Sequence, residues 1–254
     1  MLPKDLIRRI RKLEIRTRKV VSDMLAGQIK VFTEERELTV MLLVDVSASN
    51  EFGSKDRTKA EVAAEVAAQI AFSAIANNDR VGLILFSDRV EKVVPPRKGR
   101  THVLRLVSDI LTFKPKGRGT DLAAGLTYLT QVAKRKAVTF LVSDFLATNY
   151  EKPLRLVGRK HDLVPVVIED PLEQVFPRHG LVEMEDPETG ERFVVDTSSP
   201  SVRGRFSRAM QAQRDERRKL FRKLELDHVE LRAGDDHGKA LAQFFRARAR
   251  RMAS

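Results

Sequence analysis

The sequence predicts a doubly wound α/β fold: a mostly parallel sheet with one antiparallel edge strand, helices on both faces, and a β-hairpin insertion. Apolar runs of strand length alternate with helical stretches over most of the chain, which is typical of parallel sheets. The stretch 37–46 holds an unbroken run of Val, Met and Leu, as expected of a strand covered on both faces. Between Pro171 and Pro200 the alternation stops, and residues 181–196 alternate apolar and polar around a Pro-Glu-Thr-Gly turn, which predicts the hairpin.

Strands are predicted where apolar residues run unbroken, and helices where apolar residues recur at helical spacing. The edge strand must be antiparallel, because the turn at Ser87 and Asp88 is too short for a parallel crossover. In chain order we expect strand 37–46, helix 56–77, strand 80–87, edge strand 90–94, helix 101–113, helix 121–133, strand 137–143, helix 150–160, strand 162–168, helix 202–226, strand 228–232 and helix 237–252.

An amphipathic helix is also predicted over residues 2–26, ending at Gly27, a residue type that commonly terminates helices. We therefore expect an N-terminal helical segment, 1–29, followed by one domain, 30–254, with the hairpin insertion at about 171–200.

Composition narrows the classes of protein. The chain has 254 residues and no Cys, which excludes disulfides and thiolate metal sites and fits a reducing compartment. No apolar stretch approaches the roughly 18 residues of a membrane span. We therefore expect a soluble, cytoplasmic protein without a membrane span.

The formal charge of +12 raises the question of an anionic partner. Basic residues concentrate near the two ends, on helices whose apolar residues recur at helical spacing, so solvated helix faces are the simplest interpretation. An anionic protein surface is the next alternative. Nucleic acid or acidic lipid comes last, because no aromatic residues interleave with the charges as a stacking surface for bases would require.

Three side chains after the first strand predict a metal site. Asp45, Ser47 and Ser49 follow one another at two-residue steps, and in extended chain such residues point the same way. The carboxyl end of a parallel strand is where open α/β sheets bind ligands. A carboxylate with two hydroxyl oxygens suits Mg²⁺, with Mn²⁺ or Ca²⁺ as alternatives, and offers nothing to a soft metal.

Two further segments carry residues suited to the same site. The stretch Gly117-Arg-Gly-Thr-Asp121 is a glycine-containing loop that opens a helix and places Thr120 at or near its N-cap. The stretch 137–144 is a second apolar strand, ending in Ser-Asp144.

Together these motifs resemble the von Willebrand factor A domain with its metal-ion-dependent adhesion site: DVSAS at 45–49, GRGTDL at 117–122 and VSDF at 142–145. The resemblance implies the same α/β fold and a five-residue cation site. In it, the first three residues would hold the cation directly or through water, the threonine would switch with the bound state, and the last aspartate would complete the shell. These residues are Asp45, Ser47, Ser49, Thr120 and Asp144.

A narrower resemblance covers roughly Lys30 to the C-terminus, through KVFTEERELTVMLLVDVSAS and the later LVEMEDPETGERFVVDTS. These stretches resemble the bacterial family called domain of unknown function 58, whose members are commonly encoded beside MoxR-type AAA+ ATPases. The family usually has a segment with a Gly-Asp and an Ile-Asp-Trp motif before the Val-Phe-Thr-Glu-Glu stretch. Here Gly27 to Lys30 run directly into that stretch, so either the insertion is absent or the sequence skips it.

The sequence leaves two function classes to weigh against a metal-dependent protein–protein interaction module. A phosphotransferase or hydrolase of the haloacid dehalogenase type also uses an Asp after the first strand, but it needs a second carboxylate two residues on, where this chain has Ser47. A basic nucleic-acid-binding protein is the other alternative. We therefore expect no enzymatic activity, and a partner that supplies a carboxylate, with a MoxR-type AAA+ ATPase as the partner implied by the family.

Overall fold

A computed structural model describes residues 37–51, 58–117, 119–176, 178–185 and 190–253. The predicted helix 2–26, and with it the segment 1–29, lies outside the described residues. In chain order the elements are β1 (Thr39–Asp45), α1 (Lys59–Ala76), β2 (Arg80–Phe86), β3 (Val90–Arg97), α2 (Arg100–Thr112), α3 (Leu122–Val132), β4 (Val138–Ser143), α4 (Glu151–Lys160), β5 (Asp162–Glu169), β6 (Leu181–Glu185), β7 (Arg192–Asp196), α5 (Pro200–Lys223), β8 (Val229–Arg232) and α6 (His237–Ala253). Short 3₁₀ turns follow β1 at Ala48–Glu51 and β5 at Pro171–Glu173.

The main sheet has six strands in the order β3-β2-β1-β4-β5-β8. All neighbouring pairs are parallel except β2 and β3, which are antiparallel. From β1 the chain first builds outward through β2 to β3, and then returns to add β4 on the other side. The order of the strands therefore reverses at β1 and β4, and open α/β sheets bind ligands at the carboxyl ends of the strands at such a point.

Each face of the sheet carries its own apolar core, as expected of strands buried on both sides. On one face β1 presents Val40, Leu42 and Val44 to helices α1, α2 and α6. On the other face β1 presents Met41 and Leu43 to helices α3, α4 and α5. The predicted fold class, with its antiparallel edge strand and helices on both faces, is confirmed.

Observed bounds differ from the predicted ones where proline or a cap sets them. Helix α5 begins at Pro200, because proline suits the first position of a helix, where its missing N–H is not needed. Strand β3 continues through Pro95 and Pro96, which an edge strand tolerates. Helix α1 begins after Thr58, whose side chain accepts a hydrogen bond from the backbone N–H of Glu61.

The predicted hairpin is present as β6 and β7, which pair with each other antiparallel in a separate two-stranded sheet. On its outer face Arg192 donates to Glu185 over 2.9 Å and lies 3.9 Å from Glu183, so the acidic side chains there are partly neutralised. Across the described ranges, the structure has no helix with both the length and the apolar character needed to cross a bilayer.

Candidate metal centre

The site lies where β1 and β4 end beside each other in the sheet. Val44 of β1 is in register with Val142 of β4, so the next residues, Asp45 and Ser143, are neighbours across the strand pair. Asp45 is buried, with 1% of its surface exposed. Parallel pairing thus brings the first and third sequence motifs to one point, as their positions after two apolar strands predict.

Hydrogen bonds from Ser47 and Ser143 hold the Asp45 carboxylate in place. Its Oδ1 accepts from the backbone N–H of Ser47 over 2.9 Å, and its Oδ2 accepts from the Ser143 hydroxyl over 2.7 Å. The Ser143 Oγ in turn accepts from the backbone N–H of Phe145 over 3.1 Å. Ser143 therefore links the Asp45 carboxylate, at the end of β1, to the loop that follows β4.

Burial gives Asp45 an electrostatic cost that these hydrogen bonds do not fully offset. Desolvation raises the pKa of Asp45 to about 6, and the negative charge of Asp144 acts in the same direction, while hydrogen bonds from Ser47 and Ser143 oppose the rise. A carboxylate in this position favours the arrival of positive charge, either as a proton or as a cation.

The two serines approach each other through a bend and not through extended chain. Ser47 is buried just after β1, and Ser49 lies in the 3₁₀ turn Ala48–Glu51. Their hydroxyl oxygens are 3.1 Å apart and share a hydrogen bond. The convergence expected from two-residue spacing is present, but local 3₁₀ winding produces it.

Thr120 reaches the same edge on the β2 side of β1. It is half-buried and directly precedes Asp121, which caps α3 by accepting hydrogen bonds from the backbone N–H groups of Ala123 and Ala124. The Asp121 N–H donates to the carbonyl of Ser87, just past the end of β2, over 2.9 Å. Because β2 and β4 are the two neighbours of β1, Thr120 and Asp144 lie beyond strands on opposite sides of Asp45.

Gly117 allows the Thr120 loop to lie close against the end of β2. A Cβ at this position would fall 2.2 Å from Asp88 Oδ1 and 2.4 Å from Ser87 Oγ. The Gly117 N–H also donates to Glu91 over 2.8 Å. Close packing here, and not a special backbone angle, is the physical reason for glycine.

We expect Gly117→Ala to destabilise the protein by about 1–2 kcal/mol and to weaken divalent-cation binding, because the added methyl group displaces the loop that carries Thr120. Chemical denaturation and metal titration measure the two effects. Gly204→Ala in α5 is the matched control, since the nearest atom to its added Cβ is 3.6 Å away. A Gly117→Ala protein with unchanged stability and unchanged metal affinity would contradict this role of the loop.

The Asp144 carboxylate forms an ion pair with a lysine of the same chain, Lys59. The ammonium group of Lys59, the first residue of α1, donates to Asp144 Oδ2 over 2.7 Å. The same ammonium group is also paired with Glu173 from the 3₁₀ turn after β5. Lys59 is fully buried, and burial alone would lower its pKa, but the two carboxylates raise the pKa above its usual value. Lys59 is therefore a buried, charged side chain beside the predicted site.

Sequence reasoning missed Lys59, Glu173 and Ser143. The sequence carries one indication for Lys59. A lysine in the first turn of a helix is repelled by the positive end of the helix dipole, so it needs a negatively charged partner. Ser143 belongs to a motif already noted. For Glu173 the sequence carries only a local signal, its capping box with Asp170, which says nothing of its pairing with Lys59.

A buried network of ion pairs adjoins Asp144 at the end of β5. Glu169 accepts from Arg217 over 2.5 Å and from Arg214 over 2.9 Å, both on α5. Arg217 also lies 3.4 Å from Glu230 of β8 and donates to the backbone carbonyl of Asp144 over 3.4 Å. This network ties α5 to the strand ends that carry the site.

The loop after Asp144 holds an unusual backbone conformation. Phe145 has φ of 58°, in the left-handed region that a bulky residue rarely adopts. Its ring is buried and makes edge contacts with Tyr150 and Phe221 at centroid distances of 5.8 and 5.3 Å. Because such strain persists only where packing imposes it, the aromatic cluster fixes the direction in which Asp144 leaves the strand.

The chemistry of these side chains fits a hard divalent cation. Asp45, Ser47, Ser49 and Asp144 offer carboxylate and hydroxyl oxygen atoms, the ligand types that Mg²⁺, Mn²⁺ and Ca²⁺ take. In the part of the chain that the structure describes, no group of three or more His, Asp or Glu side chains is arranged to hold a metal. A cation held here would therefore depend on hydroxyl oxygens as well as on carboxylates, and Asp144 shares its charge with Lys59.

Curated relatives share sequence over most of the chain. An uncharacterized protein of Mycobacterium tuberculosis, Rv1480, is 30% identical over 227 residues, which cover 87% of this chain and 71% of the relative. An uncharacterized protein of Mycobacterium avium, MAV169, is 28% identical over 162 residues, covering 62% of this chain and 94% of the relative.

Solved structures share the fold at low sequence identity. BatB from Bacteroides thetaiotaomicron, described as a conserved hypothetical protein, superposes with a TM-score of 0.55 at 13% identity, covering 84% of this chain and 99% of that one. An aerotolerance-related membrane protein from Bacteroides fragilis superposes with a TM-score of 0.56 at 13% identity, covering 82% and 97%. The family model described as protein of unknown function DUF58 matches residues 20–216, more than half of the chain. The chain therefore belongs to the DUF58 family, and it shares its doubly wound α/β fold with these solved structures.

Proposed function

We propose that this protein is a metal-dependent protein–protein interaction module. Asp45, Ser47, Ser49, Thr120 and Asp144 would hold a divalent cation, Mg²⁺ in our proposal with Mn²⁺ or Ca²⁺ as alternatives, at the carboxyl edge of the sheet. When bound, the cation supplies a Lewis-acidic position that an external carboxylate can occupy.

The observation that carries the proposal is the burial of Asp45 at the point where the strand order reverses. Its carboxylate is held by Ser47 and Ser143, yet desolvation by burial, together with the negative charge of Asp144, raises its pKa to about 6. If the side chain at this buried position served only the fold, an uncharged residue would cost less free energy. A cation at the site would offset the cost of burial, and the hydroxyl groups of Ser47 and Ser49 lie next in the chain to assist.

The chain's own residues would keep such a site attractive to an acid. Asp144 is paired with Lys59, so its negative charge is partly neutralised before any cation binds. A bound dication would then keep part of its positive charge for a carboxylate from a partner protein. By family resemblance the partner is a MoxR-type AAA+ ATPase, acting in protein assembly or maturation in the cytoplasm.

A non-enzymatic role is part of the proposal. Phosphotransfer of the haloacid dehalogenase type needs an acid–base carboxylate two residues after the nucleophilic Asp. That position is Ser47, whose hydroxyl is buried against Ser49. The family match and the fold support an interaction domain more than an enzyme.

The test is metal binding by Asp45→Ala, followed by association. We expect calorimetric titration with Mg²⁺ or Mn²⁺ to show binding by the wild type and a loss of at least about tenfold in affinity in the variant, because the buried carboxylate is removed. In a pull-down, a partner should be retained by wild type in Mg²⁺ and lost both in EDTA and in Asp45→Ala.

Asp235→Ala is the matched control, because Asp235 follows β8 at the same edge of the sheet and is exposed. It should bind metal and partner as the wild type does. Equal metal binding by wild type and Asp45→Ala, or association that persists in EDTA, would rule out the proposed site. Turnover of a phosphatase substrate lost in Asp45→Asn would favour the enzyme instead.

A further inference from the structure

Lys59 is a charged residue in the interior of the protein. Its side chain is fully buried, and its ammonium group bridges Asp144, itself 2% exposed, and the partly buried Glu173. These three groups come from the start of α1, the end of β4 and the turn after β5. A buried ion pair is weak evidence for a stabilising role, because the desolvation of both partners offsets much of their attraction.

We propose that Lys59 and Glu173 together set the charge of the metal site, and so determine that a bound cation keeps enough positive character to take an acidic ligand. This inference rests on the proposed function. Lys59 lowers the affinity of the site for the cation, and Glu173 raises it. Both act as specificity-determining residues that need not touch the ligand.

The argument is one of charge at short range. Lys59 contacts Oδ2 of Asp144, while Oδ1 of Asp144 accepts from the backbone N–H of Leu146 over 3.1 Å. The ammonium therefore lies within a few ångströms of any cation that Asp144 helps to hold, directly or through water. Charges at such distances in a buried site interact strongly, because little water screens them.

Without Lys59, the negative charges of Asp144 and Glu173 would no longer be compensated by an ammonium group beside the site. Metal binding would tighten, but the loaded site would be more negative by one charge and would repel an external carboxylate. Without Glu173, metal binding would weaken and the loaded site would attract an external carboxylate more strongly. Whether the loaded site attracts or repels an acidic ligand thus depends on two residues outside the five that the motifs define.

A charge series with Mn²⁺ alone as the probe tests this inference. Lys59→Met keeps the length of the side chain and removes its charge, Glu173→Gln removes one negative charge, and the double variant removes both. We expect Mn²⁺ affinity to rise by about tenfold or more in Lys59→Met, to fall by a similar factor in Glu173→Gln, and to return to within about threefold of wild type in the double variant. Electron paramagnetic resonance of free Mn²⁺ gives the affinities.

Lys59→Arg is the conservative control and should bind Mn²⁺ as the wild type does. Binding of free acetate or glutamate to the Mn²⁺-loaded proteins should follow the opposite order, weakest in Lys59→Met. A purely structural lysine predicts a different sign, because its loss would loosen the site and lower Mn²⁺ affinity. If Lys59→Met folds poorly, Glu173→Gln keeps the inference falsifiable, because the charge role predicts weaker Mn²⁺ binding in that variant and an affinity equal to wild type would contradict it.

The outcomes separate the two claims. If neither the wild type nor any variant binds Mn²⁺, the proposed function is wrong, and the proposed role of Lys59 and Glu173 is wrong with it. If the wild type binds Mn²⁺ but the series shows equal affinities, or lower affinity in Lys59→Met, the metal site stands and the role of Lys59 and Glu173 is wrong.

Discussion

Phe221→Ala should lower the free energy of unfolding by about 3–5 kcal/mol, among the largest effects expected of a single substitution in this chain. Phe221 of α5 is fully buried in the second core. Its ring makes an edge contact with Phe145 at 5.3 Å and lies 5.0 Å from the ring of His228. Truncation would remove these contacts and leave a cavity beneath the loop that follows Asp144.

The substitution should also affect the site, because Phe145 depends on Phe221 to hold its left-handed backbone conformation. With the ring removed, Phe145 can relax and Asp144 loses its fixed direction. We expect weaker Mn²⁺ binding at temperatures where the variant is still folded. Urea denaturation gives the stability, and titration below the unfolding transition gives the affinity.

Two controls make this result specific. Phe193→Ala removes the same ring from the hairpin, where it is 46% exposed, and should change the stability by less than about 0.5 kcal/mol. Phe221→Leu retains most of the buried volume and should give an intermediate loss. If Phe221→Ala unfolds at a lower urea concentration, as expected, yet binds Mn²⁺ like the wild type while it is still folded, the aromatic cluster does not position Asp144.

The architecture was accessible from the sequence because its signals are local. Mostly apolar runs rich in Val, Leu and Ile mark β1, β2, β4 and β5, and helical spacing marks the intervening helices. The antiparallel direction of β3 followed from the length of one turn. Within the described residues the errors are confined to element ends, such as Pro200, where the choice between loop and first helical turn depends on capping.

The candidate site was only partly accessible, because half of its chemistry depends on contacts between distant residues. Asp45, Ser47 and Ser49 lie within five residues, so their proximity is a local matter. Lys59, by contrast, is 85 residues from Asp144 and 114 from Glu173 in the chain. No periodicity or motif spacing encodes such pairings, and only the strand order, which places β4 beside β1 and β5 beside β4, brings them together.

The network beyond Glu169 shows how the site is built into the fold. Arg217 joins Glu169, Glu230 and the carbonyl of Asp144, so α5, β5, β8 and the β4 loop share one set of buried charges. Breaking one member of such a set leaves a buried charge without its partner. The position of Asp144 therefore depends on α5 both through aromatic packing and through these ion pairs.

Asp45→Asn should make the metal-free protein more stable at neutral pH while it removes cation binding. The carboxylate of Asp45 is buried, and its pKa is raised from 3.8 to about 6 by desolvation and by Asp144. Each pKa unit corresponds to about 1.4 kcal/mol, so the ionised group costs on the order of 2–3 kcal/mol above pH 6. An uncharged amide of the same shape avoids most of this cost.

The sign of the pH dependence distinguishes this explanation from a general effect of the mutation. Between about pH 4 and pH 6 the folded state binds a proton at Asp45 that the unfolded state releases, so wild-type stability in EDTA should fall as pH rises through this window. The stability of Asp45→Asn relative to wild type should rise over the same window and level off above it.

Excess Mg²⁺, at one hundred times its dissociation constant, should raise the free energy of unfolding of the wild type by about 2.7 kcal/mol and should not stabilise the variant. Because protons and the cation compete for one carboxylate, wild-type Mg²⁺ affinity should also decline below about pH 6. Denaturation of both proteins in EDTA across this range measures the difference, and parallel curves would show that Asp45 is ionised without cost and that its burial says nothing about a cation.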